Sequence, residues 1–154
     1  MPIKVPKSKT LPYYSSKSTL DAIKTGSKIR QTNSLFFLMR KIKNYIFFMI
    51  AYFCPINSIR VGLHKLRGVN IGNDVYIGMG CVIDHAYPKY VIIEDNVCLT
   101  GNVYIVAHSK PSDYYMGVFK SYVSPVILKK NVFVGVNVTI TGGVEVAGGC
   151  FISA

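Results

Sequence analysis

Acidic residues are scarce in this 154-residue chain, and six of its seven acids lie after residue 67. Residues 1–67 contain thirteen Lys and Arg but only one acid, Asp21, which gives this segment a net charge of +12. Residues 68–154 contain five bases and six acids and are close to neutral. Such asymmetry indicates an anionic neighbour for the N-terminal segment. Because no nucleic-acid-binding module accompanies the charge, we expect the basic segment either to contact an anionic membrane or simply to keep the protein soluble, rather than to bind nucleic acid.

The chain also lacks closely paired cysteines and an early apolar segment. The four cysteines form no Cys-x-x-Cys pair, which argues against a structural zinc site. They are Cys54, Cys81, Cys98 and Cys150. Unpaired thiols are typical of a reducing compartment. The first apolar run begins only at Leu35, too late for a secretory signal. We therefore expect a cytoplasmic protein, peripheral on the cytoplasmic face of the inner membrane if the basic segment binds lipid.

No long apolar run is free of charge. Residues 35–54 have the length of a membrane-spanning helix, but Arg40, Lys41 and Lys43 interrupt them. Each central cation costs roughly 2.5–3.5 kcal/mol on an insertion scale, so a spanning helix is not expected. Two interpretations remain: a helix lying in the membrane interface, or a helix packed on the outside of the following domain.

Composition divides the chain into three parts. Residues 1–34 are rich in Lys, Ser and Thr, and we expect a basic flexible arm with a short helix around residues 19–24. Residues 35–67 are predicted to be helical, ending in a basic amphipathic connector whose His64 is interpreted as a solvated residue. Residues 68–154 form the third part.

A hydrophobic residue returns every six positions through residues 68–154. A second small apolar residue usually follows four positions later, and Gly, Asn or Asp occupies the positions between. This spacing describes short strands joined by tight corners, as in a parallel β-helix. The eleven starts are Ile71, Ile77, Ile83, Ile93, Leu99, Ile105, Leu128, Val134, Ile140, Val146 and Ile152.

The period fails in three places. The step from Ile83 to Ile93 is ten residues, which predicts a four-residue bulge. The step from Ile105 to Leu128 is twenty-three, so about seventeen residues, 109–125, leave the β-helix as a loop of the kind that is usually functional. The hexad from Ile152 is unfinished, and we expect a last coil that is incomplete, as in a chain truncated at its C-terminus.

Three segments resemble a known family. They are the entry LRGVNIG at 66–72, the segment NVYIVAHS at 102–109 and the re-entry PVILKKNVFVG at 125–135. The chain resembles the left-handed parallel β-helix acyltransferases built from hexapeptide repeats, in the sugar and polysaccharide O-acetyltransferase branch with the maltose, galactoside and colanic-acid acetyltransferases. The resemblance implies a triangular prism with three hexads per coil. It also implies a homotrimer with active sites between neighbouring prisms.

The resemblance also implies site residues. His108 matches the catalytic histidine, a general base suited to taking the proton of a sugar hydroxyl. Counting places Asp84 and His85 one coil earlier on the same edge, where they could orient His108 or bind the acceptor. The loop adds polar and aromatic residues that could cover a sugar or an acyl chain, or could instead pack onto a neighbouring subunit: Lys110, Asp113, Tyr114, Tyr115 and Tyr122. Gly135, Val136 and Ala154 match positions near the track of coenzyme A.

The function this implies is transfer of an acetyl group from acetyl-CoA to a sugar or polysaccharide precursor of the capsule, exopolysaccharide or O-antigen type, with no metal. One alternative is a catalytically inactive truncated copy or a β-helix scaffold. A remote alternative is a zinc carbonic anhydrase on the same prism. It would have to use His64, His85 and His108, which are not paired at short spacing.

Overall fold

The computed structural model describes residues 4–11, 19–29, 31–110, 115 and 117–154. A two-residue strand is followed by three helices and then by a series of short strands, with a short 3-10 helix at Pro88–Tyr90 among them. The helices are α1 (Thr19–Ile29), α2 (Ser34–Phe53) and α3 (Asn57–Arg67). The strands are β1 (Lys9–Thr10), β2 (Asn70–Ile71), β3 (Tyr76–Ile77), β4 (Val82–Ile83), β5 (Val91–Ile93), β6 (Cys98–Leu99), β7 (Tyr104–Val106), β8 (His108–Ser109), β9 (Tyr122–Val123), β10 (Val126–Leu128), β11 (Phe133–Val134), β12 (Thr139–Thr141), β13 (Glu145–Val146) and β14 (Phe151–Ile152).

Eleven of the strands form the three parallel sheets of a β-helix. The sheets have the orders β2-β5-β10-β13, β3-β6-β11-β14 and β4-β7-β12, so each of the first three coils contributes one strand to each sheet and the fourth contributes β13 and β14. The register confirms the predicted period. Within each sheet the hexad starts stand directly opposite one another: Ile71, Ile93, Leu128 and Val146; Ile77, Leu99, Val134 and Ile152; Ile83, Ile105 and Ile140.

The core of the β-helix consists of the two apolar positions of each hexad. Ile77, Leu99 and Val134 are fully buried. Ile71 and Val138 are partly buried, and the two exposed members, Val144 at 39% and Cys150, lie in the last coil. The reason is that β13 and β14 are the outer strands of their sheets, so a single neighbouring coil covers them.

Most corners turn through a residue in the left-handed conformation at the fourth position of the hexad. Glycine, asparagine and aspartate tolerate this conformation best, which explains their recurrence in the sequence. Two complete hexads depart from the pattern, those from Ile83 and Ile105, whose fourth residues are Ala86 and His108. The left-handed residues are Asp74, Gly80, Asn96, Asn102, Asn131, Asn137, Gly143 and Gly149.

The predicted amphipathic connector is helix α3, which covers the first coil. The Asn57 side chain accepts a hydrogen bond from the backbone N–H of Ile77 and donates one to the carbonyl of Val75, both at 3.0 Å. The Arg60 Nε donates to the carbonyl of Ile77 at 2.6 Å. His64 is only 1% exposed, so its interpretation as a solvated residue is wrong. The helix docks because its polar side chains satisfy the strand edge that the first coil would otherwise expose.

Helix α2 packs on the outside of the repeat domain, one of the two arrangements that the sequence predicted. Asn33 caps its start by accepting a hydrogen bond from the backbone N–H of Leu35. Phe37 and Ala51 are buried, and the Tyr52 carbonyl accepts a hydrogen bond from the backbone N–H of Gly80. Among the described residues, no helix combines the length and the hydropathy that crossing a membrane requires.

The described part of residues 1–34 has more regular structure than expected. Helix α1 runs to Ile29, beyond the short helix predicted around residues 19–24. Strand β1 pairs antiparallel with β9, which itself pairs with β8. The correction arises because backbone hydrogen bonds to the returning loop can order a polar segment that has no apolar face of its own.

Candidate active site

Asp84 organises the corner at which the period first fails. Its side chain is fully buried, and its Oδ1 accepts hydrogen bonds from the backbone N–H groups of Ala86 and Tyr87, each at 2.8 Å. Its Oδ2 accepts one from the backbone N–H of Ala107 at 2.8 Å and one from His108. The predicted bulge after Ile83 is therefore a turn folded around one carboxylate.

His108 lies one coil beyond Asp84, at the start of the long loop. Its Nδ1 stands 2.6 Å from Asp84 Oδ2, and its side chain is 23% exposed. An ionised carboxylate only accepts hydrogen bonds, so His108 donates from Nδ1, and in the neutral ring Nε2 carries the free lone pair. Since His108 pairs with Val123 across β8 and β9, the returning loop fixes its backbone. The corner thus presents an oriented imidazole with one basic nitrogen available.

Burial and hydrogen bonding act in opposite directions on Asp84. Burial opposes its ionisation, but hydrogen bonds from His108 and from the backbone of Tyr87 and Ala107 outweigh burial and lower the pKa of Asp84. The carboxylate is therefore ionised at neutral pH. An ionised Asp84 can hold the imidazole in one tautomer and stabilise an imidazolium.

Two basic side chains lie buried behind this pair. Arg67 Nη2 donates to the carbonyls of Ile83 and Asp84, each at 2.9 Å, and Nη1 donates to His64 Nδ1 at 2.8 Å. Burial lowers the pKa of Arg67 to about 10, although Asp84 opposes this shift, so Arg67 stays charged at neutral pH. Burial together with Arg67 and Arg60 lowers the pKa of His64 to about 3, so His64 is neutral. Arg67 thereby ties α3 to the backbone of the candidate site.

Two aromatic rings lie beside His108, and a third lies beside one of them. The Tyr87 and His85 rings lie 5.4 Å and 6.1 Å from it between centroids, and Phe48 of α2 lies 6.4 Å from His85. The expected meeting of Asp84, His85 and His108 on one edge is found, with Asp84 as the hydrogen-bonding partner. Sequence reasoning missed Tyr87 and Arg67. The ten-residue step that contains Tyr87 was the available signal, and Arg67 lies in the LRGVNIG segment at 66–72, to which the resemblance gave no role in the site.

The predicted loop residues are only partly described. Lys110 is exposed, Tyr115 packs its ring on Phe119 at 6.3 Å between centroids, and Tyr122 lies in β9. Asp113 and Tyr114 lie outside the described residues. The contribution of these side chains to acceptor binding stays a prediction.

The predicted coenzyme A positions lie on a different edge of the prism from His108. Gly135 and Val136 follow β11, whereas His108 follows β7, so one full side of the prism separates their corners. Gly135 donates its N–H to the carbonyl of Ile152 at 2.7 Å, and a Cβ at this position would stand 3.0 Å from the backbone nitrogen of Ala154. The structure therefore brings Gly135 and Ala154 together, but not beside His108 of the same chain.

A metal centre finds no support in the arrangement of the described side chains. Across the described residues, no group of three His, Cys, Asp or Glu is placed to bind a metal ion. His85 and His108 are neighbours, but His64 uses its Nδ1 to accept a hydrogen bond from buried Arg67. The three histidines do not form the ligand set that the carbonic anhydrase alternative requires.

The sequence and the structure of this chain were compared with those of known proteins. No protein-family model matches the chain. It is 25% identical over 118 residues to a protein of Bacillus subtilis (strain 168) named "Putative acetyltransferase YvoF", with 75% of this chain and 64% of that protein aligned. The chain thus spans less than two thirds of the length of this relative.

The solved structures that the chain resembles are also acetyltransferases, at lower sequence identity. The hexapeptide-repeat acetyltransferase VCA0836 from Vibrio cholerae is 17% identical, with a TM-score of 0.59 over 75% of this chain and 77% of that one. A galactoside acetyltransferase in complex with coenzyme A is 17% identical, with a TM-score of 0.57 over 75% and 68%. VCA0836 has also been solved with acetyl coenzyme A, at 16% identity and a TM-score of 0.59 over 75% and 73%. The chain therefore has the β-helix fold of the hexapeptide-repeat acetyltransferases.

Proposed function

We propose that this protein is an acetyl-CoA-dependent O-acetyltransferase that acts on a sugar or polysaccharide precursor. The observation that carries the proposal is the 2.6 Å contact between His108 Nδ1 and the buried Asp84 carboxylate, at the one corner where the repeat opens into a long loop. The comparisons support the same proposal, because the relative and the solved structures described above are named acetyltransferases. We also propose that the β-helix winds left-handed, as the sequence resemblance implies.

In the proposed reaction His108 acts as a general base and then as a general acid. Its Nε2 takes the proton of an acceptor hydroxyl while that oxygen bonds to the acetyl carbonyl carbon. Asp84 stabilises the resulting imidazolium through the hydrogen bond to Nδ1. The carbon–sulfur bond then breaks, and the proton passes from His108 to the departing thiolate. No covalent enzyme intermediate is needed, so the absence of a nucleophile motif is consistent with the proposal.

We further propose a homotrimer in which neighbouring prisms share each site. Gly135, Val136 and Ala154 lie on a different edge from His108, so a thioester held along them would not lie beside the histidine of its own chain. A neighbouring prism could supply that histidine. Mixing subunits with His108→Ala and subunits with Gly135→Trp tests this. Partial recovery of activity in the mixture supports shared sites, and no recovery contradicts them.

The central experiment measures release of coenzyme A and acetylation of a panel of sugars by the wild type, His108→Ala and the neighbouring-histidine control His85→Ala. We expect His108→Ala to lower kcat/KM by about 10² to 10⁴, the usual contribution of a positioned base. We expect a smaller effect from His85→Ala. Equal rates for His108→Ala and wild type would contradict the assignment of the base. No turnover by a folded wild type with any sugar would favour the scaffold or inactive-copy alternative.

We also propose that α2 holds the protein at an anionic membrane surface. An apolar stripe at spacings of four and three residues runs along its exposed side, and the net positive charge of the chain is concentrated in residues 1–67. Flotation with anionic vesicles tests this, and we expect Ile46→Glu to reduce binding while Val118→Glu, far along the chain, does not. Equal flotation of Ile46→Glu and wild type would contradict the proposal. The stripe consists of Leu35, Met39, Ile42, Ile46, Met49 and Phe53.

A further inference from the structure

A basic cleft lies beside the candidate catalytic pair. Its cavity, of about 620 Å³, is bounded by α2, the end of α3, β1 and the turn that follows Asp84. This volume is within the usual range for small-molecule sites. No acidic side chain is among its lining residues, within the described part of the chain. The five basic lining residues are Lys9, Arg40, Lys43, Arg67 and Lys89.

The cleft adjoins the site through shared residues. Tyr87 lines it, and the ring of Tyr87 lies 5.4 Å from that of His108 between centroids. A second cavity of about 380 Å³, lined by His85, shares Arg40, Asn44 and Ala86 with the cleft. A ligand seated in the cleft can therefore extend past Tyr87 toward the catalytic histidine.

The positive charges of the cleft have few compensating partners. The ion pairs between described residues involve none of its five basic side chains. Arg67 is nine-tenths or more buried, and among the described atoms its Nε has no hydrogen-bond partner. Like charges gathered at a concave, partly desolvated surface focus a positive potential, and an anionic ligand relieves their repulsion. Guanidinium and ammonium groups together suit phosphate oxygens in particular.

Resting on the proposed function, we infer that this cleft binds the phosphate of the acceptor, so that the preferred acceptor is a phosphate-bearing sugar rather than a neutral one. The phosphate lies among Arg40, Lys43 and Lys89, and the sugar reaches past Tyr87 so that a hydroxyl meets His108. A phosphate group of coenzyme A has the same chemistry. The experiment therefore treats the two sources separately.

Calorimetric titration distinguishes these sources. The probes are galactose 1-phosphate, methyl galactoside and coenzyme A, each added to the full chain, to Arg40→Gln/Lys43→Gln and to the control Lys24→Gln/Lys28→Gln. The control changes two cations of α1 that do not line the cleft. We expect galactose 1-phosphate to bind about tenfold or more weakly to the cleft variant and normally to the control, with added salt weakening its binding to wild type. Unchanged binding of galactose 1-phosphate to the cleft variant would overturn the inference. So would a loss that falls on coenzyme A alone.

Acetyl transfer to the two acceptors separates this inference from the proposed function. We expect a higher kcat/KM for galactose 1-phosphate than for methyl galactoside, and we expect the cleft variant to remove that difference. If both acceptors are acetylated equally by all three proteins, the function stands and the phosphate subsite is wrong. If galactose 1-phosphate binding depends on the cleft but no acceptor is acetylated, the subsite stands and the proposed function is wrong.

Discussion

Two corners of the prism each join a carboxylate to a basic side chain one coil further along, and they differ in how deeply the carboxylate is buried. Asp84 meets His108 at 2.6 Å on one edge, and Asp95 meets Lys130 at 3.0 Å on another. Both carboxylates also accept backbone hydrogen bonds, and both have a pKa below the ordinary value. The β-helix can thus place such a pair at more than one corner.

Burial decides what each pair does. The Asp84 side chain is fully buried. It accepts hydrogen bonds from the turn that follows it and from Ala107 of the next coil, and its contact with Nδ1 selects one tautomer of His108. The Asp95 side chain is 33% exposed, and its pair with Lys130 stands in solvent. Here the same stacking geometry gives a surface contact on one edge and a candidate active site on the other.

Removing each carboxylate is the strongest way to test this difference. We expect Asp84→Ala to lower the free energy of unfolding by about 3–5 kcal/mol, because buried donors lose their shared acceptor. We expect Asp95→Ala to cause only a small shift in the urea midpoint. Urea unfolding followed by circular dichroism measures both. Similar shifts for the two variants would contradict the role given to burial.

Asp84→Asn separates stability from chemistry at the same corner. The amide keeps the shape of the side chain, so the loss of stability should be smaller than for Asp84→Ala, whereas turnover should fall by about 10²-fold or more because the imidazolium loses its counter-charge. The lowered pKa of Asp84 means that its ionised form stabilises the fold above about pH 4 and that this contribution is lost in stronger acid. Asp84→Asn should therefore flatten the stability profile below about pH 4.

His64 offers a second test of what burial does at this edge. Its pKa falls from 6.5 to about 3, with burial and the neighbouring Arg67 and Arg60 as causes. The unfolded chain therefore binds a proton below about pH 6.5 that the folded chain does not, and stability falls as the pH is lowered. The slope should reach about 1.4 kcal/mol per pH unit. Urea unfolding at pH 6.5, 5.5 and 4.5 should show a shallower slope for His64→Gln than for wild type, and identical slopes would contradict a buried neutral His64.

The regular corners should respond to backbone strain rather than to lost contacts. Asn102 has a φ of 57°, and replacing it with alanine should cost about 1–2 kcal/mol. Asn102→Gly is the matched control, and it should be close to neutral because glycine adopts this conformation readily. Thermal unfolding measures both variants. Equal losses for alanine and glycine would show that the asparagine side chain, rather than the conformation, stabilises the corner.

The repeat was predictable because one residue type must recur at one position. Ile77, Leu99 and Val134 are stacked in the core, and a polar residue at any of them would be buried without a partner. The six-residue step then fixes register, coil count and corner positions together. The expected placement of Asp84 and His108 on one edge followed from the same count.

The surroundings of the site were not predictable in this way. The polar and charged residues of α3 are typical of a solvated helix. Three of them, Arg60, His64 and Arg67, are buried only because α3 docks on the open strand edge of the first coil. That docking depends on hydrogen bonds to backbone carbonyls, and the spacing of apolar and polar residues in the sequence does not predict such bonds. The basic cleft could not be predicted for the same reason, since residues from 9 to 90 meet there only after the helices have packed.

The exposed pair should show the smallest effect of all. Lys130→Gln removes the contact with Asp95 but leaves the hydrogen bond from the backbone N–H of Asn73 to Asp95 in place. Because solvent screens such a pair and holding it in place restricts both side chains, we expect no measurable change in the urea midpoint and none in acetyl transfer. The difference in urea midpoint between Lys130→Gln and wild type should be the same at low and at high salt. A clear loss of stability at low salt that disappears at high salt would show that position on the prism, and not burial alone, strengthens these pairs.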